Sequence, residues 1–379
     1  AGEDIAIYSG NQSDYSITEL SYGKYQVVDS RGADGTDTVN GIETLRFSDN
    51  DVDIRPSGQN ISGTSSNDTL TTESGDDLIN GYGGDDILKG LGGDDEINGG
   101  DGDDEIEGGD GDDILKGEDG NDTITGGEGV DVIHGGDGND TLSDTGDSTI
   151  YGDSGNDIIY SRKDDNTYGS EKGLTVFGGD GDDEINNYYG SFKKVDAGSG
   201  DDVIYTESLG SEEATLIGGD GYDTLRTRWI NQNINWSLIS GFEELHFGDH
   251  GGGADVVFPD SFGQEGTTLT ITSNSWSHGL DLDFSAESDA HLDITGVDGY
   301  SPNDIFIGGS LADTIKSLGG DDIVRGGAGD DILELGEGAD IVTGEAGDDT
   351  INGGAGEDIA IYSGNQSDYS ITSTTTGLY

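Results

Sequence analysis

Residues 108–116 read Gly108-Gly109-Asp110-Gly111-Asp112-Asp113-Ile114-Leu115-Lys116. Asp113 belongs to a series in which Asp68, Asp77, Asp86, Asp95, Asp104, Asp113, Asp122, Asp131 and Asp140 follow one another at nine-residue intervals. Asp304, Asp313, Asp322, Asp331, Asp340, Asp349 and Asp358 form a second series with the same step. Glycine usually stands two and five residues before each aspartate, as Gly111 and Gly108 do before Asp113. Two residues after it comes an apolar side chain: Leu70, Ile79, Leu88, Ile97, Ile106, Leu115, Ile124, Ile133 and Leu142, then Phe306, Ile315, Val324, Leu333, Val342, Ile351 and Ala360. Nine residues are too few for a helical repeat and carry no 3.6-residue period. They suit six residues of glycine-rich turn and three of strand. Two units then make an 18-residue coil. Because strand faces alternate, each strand directs one apolar side chain inward, to be stacked on its equivalents in the next coils. The expected fold is all-β, a parallel solenoid.

The unit Gly-Gly-x-Gly-x-Asp-x-aliphatic-x resembles the RTX (hemolysin-type) calcium-binding nonapeptide, a signature of parallel β-rolls. The resemblance is dense over residues 63–144 and 299–361, with scattered units between. It implies a right-handed β-roll with calcium ions in rows between the turns of successive coils. Oxygen ligands from aspartates and backbone carbonyls suit calcium, a hard cation of flexible geometry, better than magnesium. The chain has no cysteine, and its five histidines (His134, His246, His250, His278 and His291) are scattered, which disfavours zinc and copper.

Residues 18 apart share an edge. Asp68, Asp86, Asp104, Asp122 and Asp140 line one edge of the first roll, and Asp77, Asp95, Asp113 and Asp131 the other. In the second roll Asp304, Asp322, Asp340 and Asp358 face Asp313, Asp331 and Asp349. One ion between adjacent members of each edge gives about 12 Ca2+ in the two regular rolls, at the coordination usual for calcium. Asp85, Asp94, Asp103 and Asp112 precede ladder residues and are expected to face solvent.

The chain of 379 residues carries a formal charge of −66. That excludes binding nucleic acid by counterion release and disfavours anionic lipid. No apolar run reaches the length of a spanning helix. A chain so acidic folds only if its carboxylates are neutralised, so the metal-free form is expected to be largely unfolded.

Other segments depart from the nine-residue step. Residues 1–60 read as a β-rich flanking module, 61–144 as the first roll and 145–250 as a degenerate solenoid with loops. Residues 251–298 read as a solenoid segment without metal turns, 299–361 as the second roll and 362–379 as the start of another flanking module. Gly41-Ile42-Glu43-Thr44-Leu45-Arg46-Phe47-Ser48-Asp49 has a counterpart in Gly241-Phe242-Glu243-Glu244-Leu245-His246-Phe247-Gly248-Asp249. In the degenerate stretch Asp157, Asp183 and Asp202 are candidate metal ligands, and Gly221-Tyr222-Asp223 is a further broken unit. Residues 1–18 and 355–372 are identical, so the chain reads either as one period, with overlap, of a tandem array in which Asp4 matches Asp358, or as a single copy with a duplicated capping motif.

No nucleophile elbow, zinc-protease helix or phosphate loop is present. No catalytic residue is assigned, and enzyme activity stays open. The family resemblance implies type I secretion and a calcium-binding structural role in a bacterial protein that is secreted or displayed on the cell surface, such as an adhesin or surface array. The rival reading is an accessory or carbohydrate-binding region of a secreted enzyme such as a polysaccharide lyase, epimerase or protease, with Tyr188, Tyr189, Trp229, Trp236 and Trp276 as candidate ligand surface. Expected partners are calcium and either carbohydrate or further copies of the chain.

Overall fold

A computed structural model describes residues 5–21, 24–32, 35–40, 42, 44–49, 51–53, 58–161, 173–187, 192–209, 214–230, 234–248, 255–260, 266–273, 279–296 and 302–370. The chain divides into two compact units, Ala1–Asp180 and Gly181–Tyr379.

The first unit opens with a module of its own. Strand Ile5–Ile7 pairs in parallel with Thr44–Arg46, which runs antiparallel to Asp51–Asp53. Tyr15–Ser21, Lys24–Asp29 and Thr36–Asn40 form an antiparallel meander. Tyr8, Val27, Leu45 and Phe47 are its buried core.

From residue 58 the nine-residue rhythm takes over. Strands Thr69–Thr71, Ile87–Gly92, Glu105–Asp110, Thr123–Glu128, Thr141–Asp144 and Ile158–Ser161 lie side by side in one parallel sheet. Asn60–Ser62, Leu78–Gly83, Glu96–Asp101, Ile114–Asp119, Val132–Asp137, Thr149–Ser154 and Leu174–Asp180 form the other. The register is the 18-residue step: Leu88 pairs with Ile106 and Ile106 with Ile124 on one side, Ile79 with Ile97 and Ile97 with Leu115 on the other. These inward side chains are at most 1% exposed and make a narrow core two side chains wide. The strands are six residues long where three were expected, because pairing resumes inside the glycine turn, at Leu91 with Gly109 and Gly92 with Asp110. Gly109 and Gly111 hold φ near +124° and +138°, a region closed to side chains. A Cβ on either would also overlap the backbone of the preceding coil.

The second unit begins with longer coils. The pairs Ile185–Ile204, Ile204–Leu225, Leu225–Leu245, Leu245–Ile271, Ile271–Ile294 and Ile294–Ile315 are separated by irregular steps, and Ile315–Leu333 and Leu333–Ile351 restore the step of 18. The wider coils fill with aromatic rings: Trp236 packs on Phe258 at 4.5 Å, and Phe258 stacks on Phe284 at 4.0 Å. The protein is thus all-β and mostly parallel, and among the described residues the antiparallel pairing is confined to the module before residue 58. Among the described residues no helix is long and apolar enough to cross a membrane.

Candidate metal centre

Each ladder aspartate ends a glycine turn, just ahead of the strand whose apolar residue enters the core. The turn therefore places its carboxylate against the neighbouring coil. The Asp86 amide donates to Asp104 Oδ1 at 2.7 Å, the Asp104 amide to Asp122 Oδ1 at 2.7 Å and the Asp122 amide to Asp140 Oδ1 at 2.8 Å. The opposite edge repeats this from Asp77 to Asp95, Asp95 to Asp113 and Asp113 to Asp131. In the second unit the amides of Asp304, Asp313, Asp322, Asp331 and Asp340 donate to Asp322, Asp331, Asp340, Asp349 and Asp358.

One oxygen of each carboxylate is thereby engaged. The other, Oδ2, is buried without a hydrogen-bond partner in Asp77, Asp86, Asp95, Asp104, Asp113, Asp122, Asp131, Asp140, Asp202, Asp223, Asp322, Asp331 and Asp340. An unsatisfied buried oxygen is costly, and a carboxylate more so. Repetition of the same orphan along the interior rungs of both ladders marks a candidate ligand set. The space beside Oδ2 is kept open by glycine: a Cβ built on Gly108 would overlap Asp113 Oδ2 and lie 2.8 Å from the Gly126 carbonyl. Gly90 and Gly99 guard equivalent spaces beside Asp95 and Asp104. Carboxylate and carbonyl oxygens converging on one space fit calcium. In that role calcium would supply the positive charge that these buried oxygens lack.

The protons tell the same story. Burial pushes Asp95, Asp122, Asp131, Asp157 and Asp223 up to about 7, with the donated amide pulling the other way. Asp104, Asp113, Asp140, Asp202, Asp313 and Asp331 rise to about 6 for the same first reason. Charge on these groups is disfavoured until a cation joins them.

The ends of the ladders differ. Asp68 is half-buried, and its Oδ2 accepts from the Thr64 amide at 2.6 Å and the Thr64 hydroxyl at 2.9 Å. Asp313 Oδ2 accepts from the Gly309 amide at 2.8 Å. Asp349 is half-buried and Asp358 exposed. In the degenerate stretch the Asp140 amide donates to Asp157 in the first unit, and the amides of Asp183 and Asp202 donate to Asp202 and Asp223 in the second, so rungs persist within each unit after the nine-residue step is lost. The series in the second unit continues to Glu243 Oε2, which accepts from the Asp223 amide at 2.8 Å. The other edge of the first roll ends when the Asp131 amide meets Ser148 Oγ.

Asp223, Glu243 and Asp144 are candidate ligands that the sequence reading left out. Asp144 is fully buried, has an unpartnered Oδ2 and stands one coil beyond Gly126, where a repeat glycine would be expected. Burial raises its pKa, and it brings a second carboxylate to the cradle of Asp131. Its signal was an aspartate in a glycine position.

Asp85, Asp94, Asp103 and Asp112 are exposed, as expected, yet they are not idle. Asp85 Oδ1 accepts from the Asp103 amide and Asp103 Oδ1 from the Asn121 amide, at 3.2 and 2.8 Å. This outer ladder runs opposite to the inner one: its carboxylates reach the following coil, whereas the ladder aspartates reach back to the preceding one. Asp104→Ala removes a buried candidate ligand and the acceptor of the Asp86 amide, and Asp103→Ala removes only an exposed acceptor. Calcium titration should show a marked loss of affinity and of bound ions for Asp104→Ala and near-normal binding for Asp103→Ala. Equal losses would refute the division of roles.

Among the other candidates, His134, His246 and His291 lie apart. His134 Nδ1 meets Asp153 Oδ2 at 2.9 Å, and its ring stacks on Tyr151, which stacks on Phe177. His246 bonds Thr272 and His291 bonds the Ala312 carbonyl. Trp236 is buried, which removes it from any ligand surface. The side chain of Trp229, together with Tyr188, Tyr189, Trp276, His250, His278 and Asp4, lies outside the described residues. Asp260, Glu287 and Asp289 form a separate carboxylate cluster, in which Glu287 Oε1 accepts from the Asp289 and Ala290 amides.

No curated protein shows significant similarity to the chain. The family model for the RTX calcium-binding nonapeptide repeat (4 copies) matches in overlapping blocks that cover residues 62–168 and 298–368. Over those two stretches, somewhat less than half of the chain, the protein carries RTX calcium-binding nonapeptide repeats.

Proposed function

We propose that the chain is a calcium-folded structural segment of a bacterial protein that is secreted or displayed on the cell surface, an adhesin or extracellular array rather than an enzyme. The repeated, buried and unpartnered Oδ2 atoms support this reading. They make stability conditional on a cation that is scarce inside cells and abundant outside. Calcium in the two regular rolls, about 12 ions at the usual coordination, ties each coil to the next and gives the segment its stiffness. A low-calcium interior keeps the chain unfolded and able to thread through a type I export channel. The acidic surface limits lateral association of strand edges.

The test is localisation. Antibody raised against residues 61–144 should label intact bacterial cells or the medium of the source organism, and chelation should abolish recognition of the folded epitope. Retention of the parent polypeptide in the cytoplasm would overturn the proposal.

A further inference from the structure

The edge that stops at Ser148 does so with an exception to the repeat. On the regular rungs the glycine that guards an Oδ2 faces, one coil on, the carbonyl of another glycine: Gly99 meets Gly117, Gly108 meets Gly126 and Gly117 meets Gly135. One coil on from Gly126 the residue is Asp144. It ends strand Thr141–Asp144 two residues after Leu142, so strand alternation turns both side chains inward. Both are 0% exposed. A Cβ on Gly126 would overlap Asp131 Oδ2 and lie 3.0 Å from the Asp144 carboxyl carbon. Two carboxylates therefore border one space.

Each of them is held, and each keeps one open oxygen. The Asp113 amide donates to Asp131 Oδ1 at 2.8 Å. Asp144 Oδ1 accepts from the Thr145 amide and, at 3.4 Å, from the Gly127 amide. Oδ2 of Asp131 and Oδ2 of Asp144 are both buried without a hydrogen-bond partner. The next rung adds no charge, because the Asp131 amide donates to the buried Ser148 Oγ at 2.7 Å where interior rungs offer an aspartate. The carboxylate that this rung lacks stands at 144 instead.

We propose, resting on the calcium role of the ladders, that Asp131 and Asp144 form a two-carboxylate calcium site that is tighter than the regular rungs and fills before them. On a regular rung one open carboxylate oxygen meets a glycine carbonyl. Here a second full charge joins the first. Calcium affinity rises with the number of charged ligands and with the rigidity of the site. The amides on Asp144 Oδ1 supply that rigidity, since little side-chain freedom is left to lose on binding. Without a cation the two buried charges repel, so the pair opposes the metal-free fold and gains more than a regular rung when calcium arrives. At low calcium the coils that carry Asp131 and Asp144 are the first to be tied together.

The test counts calcium ions on the full-length protein by equilibrium dialysis across a chelator-buffered range of free calcium. The wild type should hold one ion before the others bind. Asp144→Asn keeps the shape and removes the charge. It should raise the free calcium needed for that first ion about tenfold or more, a modest step on the scale over which ligand charge tunes calcium sites. Asp144→Gly, which restores the repeat residue, should do the same. In saturating calcium both variants should keep the wild-type strand circular dichroism. In chelator Asp144→Asn should be no less structured than the wild type, because a repulsion has been removed. Loss of strand content by both variants in saturating calcium would make Asp144 a packing residue and overturn the proposal. Early binding that persists in both variants, or a wild type whose ions all bind as one class, would also overturn it. A wild type that binds no calcium would overturn the calcium role of the ladders as a whole, a result distinct from these.

Discussion

In excess chelator at neutral pH the protein should lose most of its strand circular-dichroism signal, and millimolar calcium should restore it. The rungs leave buried carboxylate oxygens unpaired, and the core between them is only two side chains wide. Binding energy is therefore folding energy. Magnesium should restore little, because it demands tighter octahedral geometry. The pH dependence has a definite sign. The ladder aspartates start from 3.8 and are held at about 6 to about 7 in the folded metal-free form. A raised carboxylate pKa costs nothing below the unfolded value. The penalty grows as pH climbs from about 4 to about 7 and is constant above that. Chelated protein should accordingly regain strand content on acidification towards pH 4, and calcium affinity should weaken as pH falls through the same window. Full strand content in chelator at neutral pH would refute the metal-dependent fold.

Ile106→Asp should break the first roll locally. Ile106 is 1% exposed and stacks between Leu88 and Ile124, apolar neighbours that offer a charge no hydrogen bond. Ile106→Ala alone should cost about 2–5 kcal/mol, the range for a buried large-to-small change, and a buried carboxylate more. Coils in such a solenoid contact only their neighbours. Hydrogen-exchange protection should therefore fall across Ile87–Gly92, Glu105–Asp110 and Thr123–Glu128 and remain across Ile323–Ala328 and Ile341–Ala346. Uniform loss across both regions would show that the protein melts as one cooperative unit instead.

The parallel coils and both ladders were legible because one short unit states turn, ligand and core position together, and the unit repeats in strict phase. Legibility failed where the phase failed. Asp223 was visible as a broken unit, but its place on the ladder depends on the Asp202 amide reaching across 21 residues, a span that no fixed period indicates. Glu243 takes a rung with a longer side chain, and Asp144 sits in a glycine position. The aromatic stack of His134, Tyr151 and Phe177 is spaced by 17 and then 26 residues, so it appears only once the coils are stacked. The outer carboxylates looked merely solvated because their exposure and their hydrogen bonds are independent properties. Asp103 has both.

The opposed sense of the two hydrogen-bond ladders bears on how such a chain grows into its structure. The inner ladder leaves a coil's aspartate amide waiting for the coil after it, and the outer ladder leaves a coil's outer carboxylate waiting for that same neighbour. A finished coil thus offers the next arrival one donor and one acceptor on each edge, in fixed register. Addition from the other end meets the complementary pair. Growth by templated addition is available in either direction once a first pair of coils exists, and no completed coil has to reopen. Each step closes a loop of only 18 residues, which keeps the entropy of closure small. Forming that first pair of coils, which has no template, is the step expected to set the folding rate, and every later coil adds to one already in place.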